Sequence, residues 1–368
     1  PMASASERTP LVSAATAAKE AKEASQSTTS SSHRPTPQLR NLIKMLPPSI
    51  CALALGVCGL GITWQTAADY LAAGQAARIL ADVISLASFN VGATLLLLYI
   101  SKICLCFPSV VEDLRTVDGN SVLPTLDMAL MTVAWWLDIH GFHSVGKVIW
   151  VVAVVVHCAL LALFIRFFVG GDWDPVTPCW MIPPVGISMA AGTGAAIGMG
   201  DWVAVFFWVG LVSFVILWPV SLYRAHVHPT PVPEYQQPMY AVMAAPAALL
   251  LTSWIAMGGH QGHELTHFLF LVEMVAVVMV SLKLPQLSAL PFSPATAAYT
   301  FPADITAKSS ILYTHLYLTH SAVMVACSWF FVSIATVSVA ITSLRFVSAA
   351  IDGVAAENHK LQDQDSEL

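Results

Sequence analysis

The chain has 368 residues, of which 57% are hydrophobic and only 10% are charged, and its formal net charge is −6. Soluble domains carry about 25% charged residues, so most of this chain cannot face water. These values exclude an ordinary soluble domain, argue against nucleic acid as a partner, and fit a helical protein that crosses a lipid bilayer several times.

The two ends of the chain differ from its middle. Residues 1–40 are rich in Ser, Thr and Ala with scattered charges, a composition that cannot bury enough apolar area to order itself. Residues 351–368 resemble them. The sequence therefore predicts disordered cytoplasmic tails at 1–40 and 351–368, flanking one transmembrane domain at 41–350.

Ten apolar runs of spanning length follow one another between the tails. Backbone groups in lipid must be hydrogen-bonded internally, so these runs are predicted to be helices, which makes the fold class an all-α polytopic membrane protein. The predicted spans are 46–64, 76–105, 122–138, 145–169, 179–199, 201–223, 238–258, 264–283, 291–314 and 319–346.

An even number of spans places both tails on one side of the membrane. The connections on that side carry five basic residues: Lys102, Arg115, Arg166, Arg224 and Lys283. The opposite connections carry three: Arg78, Lys147 and Lys308. The positive-inside rule then predicts cytoplasmic termini, and we expect the plasma membrane as location.

The spans alternate in character. Odd-numbered spans carry small residues and prolines, among them Pro48, Pro184, Pro246 and Pro302, whereas even-numbered spans such as "VIWVVAVVVHCALLALFIRFF" are bulky and largely uninterrupted. Proline frees a backbone carbonyl and kinks a helix, which in lipid is tolerated where neighbours or a water-filled cavity satisfy it. Odd helices lining a central passage explain both features; close packing of small residues is the alternative.

Several motifs occur in a characteristic order: "PPSICALALGVCGLGITW", "IPPVGISMAAGTGAAIGMGDW", "MAAPAALLLTSW" and "AYTFPADI". From about residue 44 to 346 the chain resembles the tellurite-resistance/dicarboxylate transporter family, which includes bacterial tellurite-resistance channels, fungal malic acid transporters and plant slow anion channels. The resemblance implies ten helices as five hairpins around a central pore, a homotrimer, and transport of small inorganic or organic anions without a cofactor.

The resemblance also implies a gate on the ninth helix. The matching residue is Phe301 in "AAYTFP", with Tyr299 at the preceding aromatic position. A ring beside Pro302 sits at a weak point of the helix, and a ring across a narrow passage bars ions sterically and by dewetting. The alternative is an aromatic residue that merely packs between helices.

Hydroxyl groups on the odd spans offer hydrogen-bond donors without fixed charge, which lets an anion both enter and leave. Such a pore favours anions that shed water readily, whereas a bulky carboxylate needs more room or more donors. The predicted donors are Ser188, Thr193, Thr252, Ser253, Thr300 and Thr306.

Asp304 and Lys308 stand four residues apart on the ninth span, and two interpretations remain open. They could form a mutual ion pair, as this spacing allows on a helix. Alternatively, Lys308 lies in the anion path with Asp304 as a switchable partner, which would couple transport to protons. Asp127 on the third span faces either the pore or a neighbouring helix.

The stretch "HELTH" at residues 263–267 matches the HExxH pattern of zinc proteases, which places two His ligands on one helical face. Catalysis also needs a third protein ligand, and no suitable aspartate motif accompanies the pattern. His263 and His267, with His260, are therefore weak metal candidates at the end of a span. A solvated loop end and a pH-sensitive cluster are the other interpretations.

These observations favour an anion channel over an enzyme. The leading alternative is a proton-coupled carrier for malate-like dicarboxylates or sulfite, and an intramembrane zinc protease is a remote one. The substrates expected for the channel are chloride-like and nitrate-like anions or malate-type dicarboxylates.

Overall fold

The structure is a computed structural model that describes residues 37–71, 74–168, 176–227, 231–259 and 263–366. Within these ranges the regular secondary structure is entirely helical. The chain divides into two units, Pro1–Leu42 and Ile43–Leu368, and every helix from α2 onward belongs to the second.

Fourteen α-helices are described. They are α1 (Pro37–Lys44), α2 (Ser49–Tyr70), α3 (Gln75–Leu105), α4 (Phe107–Arg115), α5 (Val117–Val122), α6 (Thr125–Ile139), α7 (His143–Phe168), α8 (Ile182–Gly186), α9 (Ser188–Ala196), α10 (Ala204–His226), α11 (Ala245–Ala256), α12 (His263–Ser288), α13 (Thr300–Tyr317) and α14 (Ala322–Ser366). Four 3₁₀ helices accompany them: Pro178–Met181, Asp201–Val203, Glu234–Ala244 and Pro294–Tyr299.

Eight helical stretches of the described residues are long and apolar enough to cross a membrane. They are Ser49–Tyr70, Gln75–Leu105, Val117–Ile139, His143–Phe167, Asp201–His226, Glu234–Ala256, His263–Ser288 and Ala322–Gly353. The chain is therefore an integral membrane protein, as predicted. The predicted spans at 179–199 and 291–314 are not among the eight. The first is broken into short helices at residues 178–196, and the second carries Asp304, Lys308 and many hydroxyl groups on α13.

Two groups of segments differ in burial. The most apolar windows of Ser49–Tyr70, Val117–Ile139 and Glu234–Ala256 are 67% to 83% buried within the protein. The other five windows are only 22% to 33% buried. We call the buried stretches, together with 178–196 and 294–317, the five inner segments, and we call α3, α7, α10, α12 and α14 the outer helices.

Each inner segment packs against the outer helix that follows it in the chain: α2 with α3, α6 with α7, α9 with α10, α11 with α12, and α13 with α14. The inner segments also contact one another in a closed circuit that runs from α2 through α6, α9, α11 and α13 back to α2. Three of the connecting turns use a glycine at positive φ, which other residues adopt only with strain: Gly141, Gly198 and Gly258.

The prolines of the inner segments were predicted to kink continuous helices, but Pro48 and Pro246 lie where helices begin. Pro48 immediately precedes α2, and Pro246 lies in the first turn of α11. A proline in the first turn lacks only an N–H that the helix would leave unpaired, so it starts a helix at little cost. The third, fourth and fifth inner segments accordingly begin as 3₁₀ helices and continue as α-helices.

The two predicted tails lie partly within the described residues. Of the stretch 1–40, residues 1–36 lie outside the described part of the chain, and α1 begins at Pro37. At the other end, disorder was predicted over 351–368, whereas α14 continues as a helix to Ser366. The segment "AAENHKLQ" contains several strong helix formers and no proline, so it can extend a helix that packing has already begun.

Candidate functional site

A cavity of about 280 Å³ lies within the circuit of inner segments. No outer helix contributes to its described lining, which comes from the inner segments and the short connections before them. The lining includes Ala52 and Leu55 of the first segment, Thr125 and Met128 of the second, Val185 and Gly186 of the third, Met239, Val242 and Leu249 of the fourth, and Ala298, Phe301 and Pro302 of the fifth.

The first turns of four helices line this cavity. They contribute Ser49 of α2, Thr125 of α6, Pro246 of α11 and Phe301 of α13. The amino-terminal end of a helix carries partial positive charge because its peptide dipoles align. These helix ends place partial positive charge beside the cavity, whose described lining holds no Lys or Arg and two carboxylates, Asp113 and Asp118.

Phe301 is half-buried, lines the cavity, and packs against the largest hydrophobic cluster of the protein. The backbone beside it is held tightly, because a Cβ added at Gly56 of α2 would collide with the Thr300 side chain and come within 3.0 Å of the Phe301 nitrogen. The backbone that carries the ring is therefore firmly placed against α2.

The other predicted gate residue lies elsewhere. The Tyr299 hydroxyl donates to the carbonyl of Leu287 at 3.2 Å, and Ser338 donates to the Tyr299 carbonyl at 2.7 Å. Tyr299 thus ties the fifth inner segment to α12 and α14 and is absent from the cavity lining. Of the four predicted prolines, Pro48, Pro246 and Pro302 line the cavity, and Pro184 lies in α8 outside its lining.

None of the six hydroxyl groups predicted to donate to anions lines this cavity. Five of them donate to carbonyl oxygens of the protein instead. Ser188 donates to Val185 at 2.8 Å, Thr193 to Met189 at 2.6 Å, Thr252 to Leu249 at 2.9 Å, Ser253 to Ser188 at 2.8 Å, and Thr300 to Ala297 at 2.8 Å. The sixth, Thr306, is buried without a hydrogen-bond partner among the described residues. Four of these bonds reach a carbonyl three or four residues earlier, a local pattern common for Ser and Thr in helices, and only Ser253 bonds to a distant segment.

Asp304 and Lys308 do not form the ion pair that their spacing allows. Neither carboxylate oxygen of Asp304 has a hydrogen-bond partner in the described part of the chain, and the side chain is 1% exposed against Gly59 of α2. The Lys308 ammonium instead lies 4.0 Å from the ring centroid of Trp135 on α6, a cation–π contact. Neither residue lines the cavity.

Asp127 faces a neighbouring helix, which settles the alternative left open by the sequence. Its Oδ1 is hydrogen-bonded to Nδ1 of His157 on α7, and both side chains are fully buried. Nε2 of His157 contacts the Pro183 carbonyl at 2.8 Å. The pair therefore joins α6, α7 and α8, directly behind the cavity wall formed by Met128 and Gly186.

A second buried carboxyl group lies on an outer helix. Glu273 of α12 is 0% exposed, accepts a hydrogen bond from the Ser309 hydroxyl of α13, and has no partner for its second oxygen among the described residues. Sequence reasoning missed Glu273 and His157. Both are single ionisable residues inside apolar runs, "FLVEMVAV" and "VVVHCALL", which is the signal that should mark a functional residue in a membrane helix.

Two carboxylates lie at the end of the cavity where the inner segments begin. Asp113 is paired with Lys102 at 2.7 Å, and the same ammonium donates to the Leu46 carbonyl at 2.6 Å. Asp118 accepts a hydrogen bond from Gln236 at 2.5 Å. The pairing of Asp113 with the buried Lys102 reduces the negative potential that an anion meets at this opening.

The HELTH motif lies in the first turn of α12, away from the cavity. His263 and His267 are exposed, and their Nδ1 atoms contact the hydroxyls of Tyr317 and Tyr313 at 3.3 and 2.8 Å. Within the described ranges, no group of three metal-ligating side chains comes together. His260, the third member of the predicted cluster, lies outside the described residues.

These features define an all-α integral membrane protein whose buried inner segments enclose a cavity. The family model for the voltage-dependent anion channel, SLAC1, matches residues 45–347, and the chain belongs to this family. The match confirms the resemblance predicted from the ordered motifs. No curated protein matches the chain in direct sequence comparison. The family transports anions through a channel and consists of channels and transporters rather than enzymes.

Proposed function

We propose that the chain spans the membrane ten times, as five hairpins whose inner segments surround an anion pore closed by Phe301. The resemblance further implies a homotrimer, and the distribution of basic residues supports cytoplasmic termini in the plasma membrane. The closed circuit of contacts and the pairing of each inner segment with the next outer helix support the hairpin arrangement.

One observation carries the anion preference: four helix amino termini line the cavity without a basic side chain among the lining residues. Helix dipoles attract anions but bind them weakly, which conduction requires. In the first turns of these helices, many backbone N–H groups already donate to nearby carbonyls, for example that of Cys51 to the Pro48 carbonyl at 2.9 Å. The attraction is therefore a diffuse potential rather than a fixed ligand set, and it suits anions that give up water readily.

Lys308 marks a second position along the proposed pore. Seven residues separate it from Phe301, which corresponds to about 10 Å along α13. Its ammonium reaches Trp135 on α6, although α13 has α2 and α11 as its neighbours in the circuit. We therefore place Lys308 inside the circuit, beyond the gate, where a passing anion would compete with the indole for the charge.

Anion replacement tests the proposed function. In liposomes containing the purified protein, chloride and nitrate are expected to pass faster than malate, because the cavity offers an apolar lining and few donors to a second carboxylate. Flux should follow the membrane potential and should not saturate at low concentration. Malate flux that saturates and excludes chloride would contradict the channel and favour the carrier.

Lys308→Gln is expected to lower anion flux about tenfold, the effect of about 1.4 kcal/mol on the barrier. The matched control is Lys147→Gln, which removes an exposed charge from the start of α7. If both variants transport like wild type while remaining folded, Lys308 does not contribute to the anion path.

A proton-coupled carrier is the second proposal, and Asp304 favours it. A buried carboxyl group that has no hydrogen-bond donor among the described residues, one turn before Lys308, is a suitable group to take up and release a proton during transport. Asp304→Asn should then abolish the dependence of flux on an imposed pH gradient, while Asp201→Asn, at an exposed position before α10, should retain it. If wild-type flux ignores the gradient, the carrier proposal fails.

A further inference from the structure

A second cavity, of about 250 Å³, lies between the ends of two outer helices. Arg224 from the last turn of α10 and Lys283 from α12 both line it, and no Asp or Glu lies among its described lining residues. Three amide side chains complete the polar wall: Gln236, Gln237 and Gln286. Its described lining thus holds two basic side chains and three neutral amide groups.

The basic side chains are held in place. Arg224 is 4% exposed, so its guanidinium belongs to the wall rather than to a mobile surface chain. The Lys283 ammonium lies 4.2 Å from the ring centroid of Tyr240, whose hydroxyl contacts Nε2 of His226 at 3.0 Å. The carboxylate of Asp118, next to this wall, already accepts a hydrogen bond from Gln236.

We propose that this cavity binds a phosphate group. A phosphate presents several acceptor oxygens and more than one negative charge, which an arginine and a lysine lining one cavity recognise together. The cavity lies between outer helices α10 and α12, whose apolar windows are each only 22% buried within the protein, so lipid is close to the site. A lipid headgroup and a free phosphate compound are both possible sources.

The site is placed to influence the proposed pore. The 3₁₀ helix Glu234–Ala244 separates the two cavities: Met239 and Val242 line the first, and Gln236, Gln237 and Tyr240 line the second. A ligand that fixes this helix from behind therefore acts on the wall of the transport cavity. This regulatory consequence rests on the proposed function, whereas phosphate binding does not.

Binding is measured by titrating the purified full chain in detergent micelles with four probes: phosphatidylinositol 4-phosphate, phosphatidylcholine, inositol trisphosphate and inorganic phosphate. Phosphatidylcholine is the control, because its single phosphodiester charge is offset by choline, and we call the other three the phosphate probes. Lys283→Gln is expected to weaken binding of the phosphate probes about fivefold, the effect of one basic residue. Arg224→Gln should do the same. Lys44→Gln removes an exposed charge from α1 and is the matched control.

The outcomes separate the sources. Binding of phosphatidylinositol 4-phosphate alone identifies a lipid headgroup, and comparable binding of inositol trisphosphate or inorganic phosphate identifies a free phosphate compound. The proposal is overturned if wild type distinguishes no phosphate probe from phosphatidylcholine, or if Lys44→Gln weakens binding as much as Lys283→Gln. Because Arg224 is buried, an unfolded Arg224→Gln variant leaves the decision to Lys283→Gln.

Discussion

If Phe301 is the gate, as proposed, Phe301→Ala is expected to raise chloride and nitrate flux about tenfold or more, because it removes the ring that lines the cavity at the first turn of α13. Phe301→Leu should give an intermediate flux, since a smaller apolar side chain blocks part of the same cross-section. The measurement is anion efflux from liposomes, or current across a bilayer, at equal amounts of folded protein.

The control for this series is Phe330→Ala, which removes the same ring from α14 at a position that is 61% exposed. It should leave flux unchanged. Phe301 also packs against a hydrophobic cluster, so the unfolding temperature of each variant is needed to separate leakage through an open pore from loss of structure. A folded Phe301→Ala protein with wild-type flux would mean that the ring does not close the pathway.

Hydropathy predicted most of the helices because lipid permits few alternatives. The second span was predicted at 76–105 and α3 runs from Gln75 to Leu105. The third inner segment was harder to predict. Pro184 was expected to kink one helix, whereas the segment consists of a 3₁₀ helix beginning at Pro178 and the separate helices α8 and α9, and the composition of the run does not distinguish these outcomes.

The cavity could be predicted only in part. The prolines and small side chains of the odd-numbered spans indicated an internal passage, and Phe301 lines the cavity that the structure shows. The hydroxyl groups predicted to donate to anions lie outside the described lining of this cavity, and Thr193 and Ser253 donate to carbonyls of their own or a neighbouring segment. Thr193 bonds to a carbonyl four residues earlier, a local pattern that a helix allows. The partner of Ser253 lies 65 positions away on another segment, and only the folded chain brings the two together.

The same limit explains Asp304 and Lys308. Their spacing on one helix allowed an ion pair, yet Trp135 lies within reach of Lys308 and is separated from it by more than 170 positions in sequence, a proximity that only the folded chain creates. His157 was likewise visible as an isolated polar residue, but its carboxylate partner Asp127 lies on another helix.

His157→Ala is expected to destabilise the protein by about 3–5 kcal/mol, because it leaves the carboxylate of Asp127 buried without its charged or hydrogen-bonded partner. It also removes the contact to the Pro183 carbonyl, at the break between α8 and α9. The measurement is the free energy of unfolding in detergent micelles, from a reversible denaturant titration.

A double-mutant cycle separates the pair from the loss of packing around it. His157→Ala combined with Asp127→Asn should destabilise the protein less than the sum of the single changes, by about 0.5–3 kcal/mol. The reason is that Asp127→Asn removes the carboxylate charge that His157→Ala leaves unpaired.

His143→Ala provides the matched control: His143 pairs with Asp138 at 2.9 Å but is 68% exposed, so its loss should change stability by about 1 kcal/mol or less. Equal effects at His143 and His157, or strict additivity at Asp127 and His157, would mean that the buried pair does not hold the broken third segment in place. A large interaction energy between Asp127 and His157 would instead show that this pair stabilises the wall formed by Met128 and Gly186. The shape of the cavity would then depend on two residues that are absent from its lining.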